Sequence, residues 1–326
     1  MGDKNIDVVA LGEALIDFTP AGRSEDGRRL FEQNPGGAPA NVLATLSKLG
    51  HTAAFVGKVG DDMHGHFLKH TMQEAGIDVS GLLLDPAVFT TLAFVELGEG
   101  GERSFAFARK PGADTQICLK EIESRFFTDT KVLHVGSLSL TDEPARTTTY
   151  EAVKHAKDAG AVISYDPNYR ADLWESREIA IERMQSLIPY VDIMKISDEE
   201  TGLLTPYQDA KEAAAYLLQQ GVKIVAVTMG AGGALLSTST SVNRIPGFSS
   251  HAIDTTGAGD AFWGAFLSGI LAKTLDIESI TSEEVQECAL YANALASLCV
   301  EKRGGISSIP QPEEVEERLK ELKIMK

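Results

Sequence analysis

The 326-residue chain has little cysteine: Cys118, Cys288 and Cys299 lie far apart, with no CxxC pair. That removes a disulfide framework and a zinc–thiolate site, and it fits a reducing, cytoplasmic compartment. Positive charge is also scarce, 30 Lys and Arg standing against 47 Asp and Glu for a formal net charge of −17. Binding to a nucleic-acid backbone or an anionic membrane draws on counterion release at a basic face, so neither is an expected partner. An anionic ligand would need a local positive site. No apolar run reaches the roughly 18 residues of a membrane-spanning helix. The polar start, Met1-Gly-Asp-Lys-Asn-Ile-Asp7, has neither the apolar stretch of a secretory leader nor the Ser/Thr that a myristoylation site requires. Two phosphate fingerprints are missing as well. No GxxxxGK[ST] occurs, and Gly12-Glu-Ala-Leu-Ile-Asp17 after the first apolar run is not GxGxxG. The loose cluster Met229-Gly-Ala-Gly-Gly233 does not replace it, so a nicotinamide dehydrogenase loses its main support.

What remains is an ordinary globular composition, 43% hydrophobic and 24% charged, long enough to bury a sizeable core. Apolar runs and helical spacings alternate. Strands are expected at 6–18, 52–59, 131–136, 161–166, 192–196 and 223–229. Helices are expected at 38–49, 63–75, 143–159, 176–188, 208–219, 258–272, 282–300 and 313–322. This order predicts a mostly parallel sheet with helices on both faces, in one domain over 1–326. Two segments break the rhythm. Residues 19–35 read as a polar loop or small excursion, while 90–97 and 103–109 read as a hairpin joined by Gly-Glu-Gly-Gly-Glu. Segments 17–35 and 90–110 are expected to form a small β lid. In it, Phe105 and Phe107 alternate with Ala106 and Ala108, so one face is aromatic. Exposed edges on such a lid would be covered by pairing two copies, a homodimer. The pair His66 and His70 has no third ligand in register and reads as a solvated helix face.

The sharpest motif is Asp254-Thr-Thr-Gly-Ala-Gly-Asp260 ahead of an apolar helix. Small residues at a helix start aim free N–H groups and the positive dipole end at one point, which suits a phosphate. Asp260 then places a carboxylate beside that anion hole, able to take a proton from a hydroxyl, although a capped glycine turn would have the same text. Gly36-Gly-Ala-Pro-Ala-Asn41 opens the first crossover helix and could equally be a plain turn.

Residues 36–60 (GGAPANVLATLSKLGHTAAFVGKVG) and 254–266 (DTTGAGDAFWGAF) resemble, in order and near opposite ends, the two signatures of the ribokinase/PfkB carbohydrate kinase family. Further matches are LGEALID at 11–17, DPNYR at 166–170, Thr228-Met-Gly230 and RGGISS at 303–308, so the likeness covers essentially the whole chain. The text LGEALIDF, VGKVGDD and DPNYR is most similar to fructokinases. The resemblance implies a three-layer α/β/α ribokinase-like fold with a β lid, and an ATP-dependent sugar kinase acting on the 6-hydroxyl of D-fructose. It implies Asp260 as base, with an anion hole from the N–H groups of Gly257, Ala258, Gly259 and Asp260. Asp17, Gly37 and Asn41 would hold sugar hydroxyls; Thr228, Gly230 and Asn293 would lie along the nucleotide. Asp254, Thr256 and Ser308 match positions around a monovalent cation, implying K⁺. Glu200 would order water around Mg²⁺, although Ser197 stands where the family often carries Asn.

Arg109 and Arg170 supply the local positive charge the acidic chain otherwise lacks and could face phosphate or an anionic substrate. A 2-keto-3-deoxygluconate kinase is the rival within the family. Members acting on such acids tend to carry tyrosine where this chain has Phe107, and an apolar ring there suits a neutral ketose. A non-catalytic sugar sensor on the same fold would have no use for a carboxylate at Asp260.

Overall fold

The computed structural model describes residues 4–97 and 103–324. Its strands, in chain order, are β1 (Ile6–Leu11), β2 (Leu15–Arg23), β3 (Arg29–Gly36), β4 (Ala53–Gly60), β5 (Asp78–Asp85), β6 (Leu92–Leu97), β7 (Arg103–Ala108), β8 (Thr130–Val135), β9 (Val162–Tyr165), β10 (Ile193–Ser197), β11 (Ile224–Thr228), β12 (Ala234–Thr238) and β13 (Val242–Ile245). Its helices are α1 (Ala38–Lys48), α2 (Met63–Glu74), α3 (Arg125–Thr128), α4 (Ala145–Asp158), α5 (Arg177–Leu187), α6 (Thr201–Leu204), α7 (Ala210–Gln219), α8 (Ala258–Lys273), α9 (Ser282–Cys299) and α10 (Pro312–Ile324).

Nine strands form the main sheet in the order β13-β12-β11-β10-β9-β8-β1-β4-β5. Pairing is parallel from β5 through to β11, and antiparallel only for β12 and β13. Parallel strands must be covered on both faces, which explains their near-continuous apolar text. One core, with Phe55, Trp263 and Phe266, packs α1, α8 and α9 on one face. The other, with Phe126, Phe127 and Tyr165, lies under α4, α5 and α7. This is the expected three-layer α/β/α arrangement.

The run expected as one strand over 6–18 is two. β1 belongs to the main sheet, and the chain turns at Gly12-Glu-Ala14 into β2 of a second sheet, ordered β3-β2-β6-β7. Apolar continuity could not reveal that break, because residues 8–16 are buried all the way through. Within 19–35 the chain forms the small β excursion rather than a plain loop: β2 and β3 pair antiparallel across it. β2 pairs in parallel with β6, and β6 antiparallel with β7. A further strand, β5, lies at the sheet edge where the sequence carried no marked signal. The Gly-rich connection at 98–102 and the side chain of Phe105 lie outside the described residues. No helix among the described residues is long and apolar enough to cross a membrane.

Candidate active site

Ligands in open parallel sheets gather at the carboxyl ends of the strands. Here the exits of β1, β9 and β10 border a cleft of about 500 Å³, roofed by the second sheet. Its lining includes Glu13, Asp17, Asn34, Gly37, Asn41, Phe107, Asn168, Arg170, Lys195, Asp254, Thr256, Gly257, Gly259, Asp260 and Arg303.

Two helix starts meet in this cleft. Gly257, the residue before α8, has φ 74°, and a Cβ there would lie 3.0 Å from Gly305 Cα, so both its conformation and its neighbour require glycine. The first turn of α8 leaves N–H groups without intrahelical acceptors; Gly257, Gly259 and Asp260 line the cleft, and Ala258 N donates to Thr255 O at 3.4 Å. Gly37, ahead of α1, has φ 112° and a Cβ position only 2.5 Å from Glu13 O. Asn41, in α1, donates through Nδ2 to Asp260 Oδ2 at 2.8 Å, joining the two starts. One oxygen of Asp260 is thereby held, and Oδ1 is left for another partner.

The electrostatics are unusual for so acidic a chain. Burial pushes the Asp260 carboxyl up to about 6; Asp166 adds to this, while the Asn41 hydrogen bond, Lys195 and Arg170 oppose it. Burial likewise pushes Asp17 up to about 6, against Arg170 and with Asp260 and Asp254. Lys195 is fully buried, which alone would lower its pKa. Asp166, at 2.7 Å through Oδ2, with Glu200 and Asp260, holds it raised instead, so the ammonium stays charged. Its Nζ lies 3.3 Å from where a Cβ on Gly259 would sit, beside the glycine turn.

Asp254 ties two loops together. Oδ1 accepts from Thr256 N at 2.9 Å and Oδ2 from Gly304 N at 3.1 Å. Ser308 is buried and donates to Gly305 O at 2.8 Å on the same loop.

Several expected residues are elsewhere. Arg109 does not face the cleft. It is buried and fully engaged, donating to Asp114 Oδ2 (2.8 Å), Thr141 Oγ1 (2.8 Å) and Leu138 O (2.9 Å). Only Arg170, exposed at the rim, meets that expectation. Glu200 is buried outside the cleft lining: Oε1 accepts from Tyr169 N and Oε2 from Ser197 N, both at 2.8 Å, bracing the exits of β9 and β10. Among the described residues, no group of three or more His, Cys, Asp or Glu side chains is arranged to hold a metal ion. Asn293 spends its amide on Ile245 O and Pro246 O, where β13 ends. Thr228 ends β11, Gly230 follows it, and neither lines this cleft; Thr228 donates to Ile196 O at 3.3 Å.

Lys195, Asp166 and Glu13 escaped sequence reasoning. A signal existed for one of them: a lysine inside the apolar strand text Ile193-Met-Lys-Ile196 must find a carboxylate or leave a charge stranded.

Comparisons with known proteins agree with this geometry. The pfkB family carbohydrate kinase pattern matches residues 5–312. The probable fructokinase-5 of Arabidopsis thaliana is 40% identical, covering 96% of this chain and 97% of the relative. The fructokinase of Xylella fastidiosa with bound ATP superposes with a TM-score of 0.90 at 32% identity, covering 98% of this chain and 99% of the other. A double mutant of the fructokinase of Vibrio cholerae O395, with fructose, ADP and potassium ion bound, gives 0.88 at 32% identity, covering 98% and 100%.

Proposed function

Because this chain belongs to the pfkB family of carbohydrate kinases, we propose that it transfers the γ-phosphoryl group of ATP to the 6-hydroxyl of D-fructose. The observation that carries the chemistry is the Asp260–Asn41 pair at the glycine turn inside a cleft. The sugar oxygen attacks the γ-phosphorus as the bond to the β-phosphate oxygen breaks. The hydroxyl proton passes to Asp260 Oδ1, while Oδ2 stays anchored by Asn41. ADP leaves with the bridging oxygen. Charge growing on the transferred group meets the N–H groups of Gly257, Ala258, Gly259 and Asp260, with Lys195 as the nearby fixed cation. Asp17 and Asn41 receive sugar hydroxyls, Phe107 lies against the ring, and Arg170 is available for phosphate at the rim. Thr228, Gly230 and Asn293 are the nucleotide-side residues of this reading, Asn293 acting only through the β13 exit it braces.

The oxygen-only donor set of Asp254, Thr256 and Ser308 fits a hard monovalent cation, K⁺ in this proposal. Bound there, it would steady the loop that presents the N–H donors. Mg²⁺ would be carried by the nucleotide phosphates. The engaged oxygens of Glu200 do not fit a direct ligand, and no step is assigned through it. A cytoplasmic location and a homodimer complete the proposal. The dimer would cover the second sheet, on which Leu30, Phe31 and Phe94 are 44%, 43% and 39% exposed.

A coupled ADP-release screen over fructose, ribose, nucleosides and 2-keto-3-deoxygluconate tests the assignment. The kcat/KM for fructose should exceed that for ribose or the sugar acid by at least about tenfold, ~1.4 kcal/mol. A sugar acid as the better substrate would overturn the fructose assignment and leave the role of Asp260 standing.

A further inference from the structure

Glu13 sits at the turn where the chain leaves β1 of the main sheet for β2 of the second. The residue lines the cleft yet is only 3% exposed. Oε1 accepts from Ala38 N at 3.2 Å, at the start of α1. Oε2 is buried and has no hydrogen-bond partner among the described residues. Asn41 Oδ1, on the same helix start, is a second buried acceptor in the same condition. A buried oxygen left without a donor costs stability, so such an atom at a cleft calls for a donor from a bound water or ligand.

Charge on Glu13 is contested rather than neutralised. Burial pushes its carboxyl up to about 7; Asp114 adds to this, and Arg109 and the Ala38 N–H oppose it. Arg109 turns its guanidinium to Asp114, Thr141 and Leu138 rather than to Oε2. Gly136, just past β8, brings no side chain to Oε2; a Cβ there would lie 4.0 Å away, at ordinary contact distance. Glu13 lines the cleft, so a hydroxyl or N–H of a molecule bound there can supply the missing donor.

We infer that Glu13 is a substrate-binding residue, its Oε2 accepting a hydrogen bond from a ring or chain hydroxyl of the sugar other than the one phosphorylated. This rests on the sugar-kinase reading above and deepens it. Asp17, Asn41 and Glu13 then present three acceptors on one side of the cleft, and a substrate short of one matching hydroxyl strands a buried carboxylate oxygen. The contact is made equally in the ground and transition states, so it governs KM more than kcat.

The test pairs Glu13→Gln with 1-deoxy-, 3-deoxy- and 4-deoxy-D-fructose, alongside fructose. Glutamine keeps an oxygen for Ala38 N and puts a donor where Oε2 was, at the same volume. For the wild type, one deoxy sugar should fall about tenfold or more below fructose in kcat/KM. For the variant, KM for fructose should rise about tenfold or more with kcat changed less than about threefold, and the penalty on that same deoxy sugar should vanish. Thermal unfolding of both proteins separates this from misfolding, as does the KM for ATP, which should not move. A variant with unchanged KM for fructose overturns the inference. So does one that keeps the wild-type ranking of the deoxy sugars, since Glu13 then only caps α1. A wild type inactive on fructose but active on another sugar removes the fructose assignment instead, and the same variant is then run on deoxy forms of that sugar. A wild type inactive on all sugars overturns both.

Discussion

The two sheets are built to different standards. In the main sheet, β4 and β9 are buried at every position, and β10 and β11 at all but the last. In the second, β2 and β3 begin or end buried at the cleft and run out to exposed residues. Strands covered on both faces open only with the whole fold, whereas a sheet with one solvated face and free edges opens at lower cost. The floor that carries Asp260 and Lys195 is therefore the rigid partner, and the roof above it the adjustable one. The boundary is not where the sheets part, however. At the roots of β6 and β7, Thr91 and Arg109 are both bound to Asp114, all three buried. The roof is soft at its outer end and locked at its hinge.

The largest effect is expected on the floor. Asp260→Asn keeps the shape and removes the base, and kcat should fall roughly 10²–10⁴-fold while fructose and ATP still bind by calorimetry. Near wild-type kcat in that variant would deny Asp260 its role. The wild-type pH profile sharpens the point. In the proposed reaction the charged form of Asp260 is the active one; its pKa is raised to about 6, so kcat/KM should be lost as pH falls through about 6. Stability should move the other way. Asp260 and Asp17 (about 6) and Glu13 (about 7) all lie above their unfolded values, so the folded state binds more protons between pH 4 and 7. Their contribution favours folding below the unfolded values and is lost as pH rises through the folded ones. Denaturation series at pH 5 and pH 7 check this by comparing wild type with Asp260→Asn: the charge-free variant should gain relative stability at pH 7.

The hinge comes next. Arg109→Met leaves Asp114 buried without its partner, and urea denaturation should record a loss of about 3–5 kcal/mol. Adding Asp114→Asn should recover much of it. A loss under about 1 kcal/mol for the single variant would place the root of the roof with its soft outer end.

The smallest effect concerns motion. If the second sheet closes over the sugar, saturating fructose should slow amide exchange in β6 and β7 more than in β11 of the main sheet. Exchange unchanged in the roof on saturation would leave closure out of the mechanism.

Much of the floor was legible in the sequence because its needs are local. A glycine-rich turn before an apolar helix announces a helix start with free N–H groups. The alternation of apolar runs with helical spacings announces a covered parallel sheet. The roof was half legible: the hairpin at β6 and β7 has a clear two-residue alternation, but β2 was merged with β1 and β3 hid in polar text.

By itself, then, the sequence determined the layered α/β order, the position of the glycine turn before α8 and the carboxylate beside it, each set by backbone requirements that span a few residues. Only the tertiary structure decided which charges face the cleft. Arg109 and Arg170 read alike as loop arginines, yet one is buried on Asp114 and the other stands at the rim. Asn41 meets Asp260 across 219 residues of chain, and Lys195 meets Asp166 from the neighbouring strand. The reason is physical: a side chain's partners and its desolvation come from packing between distant segments, and no local window of sequence contains them.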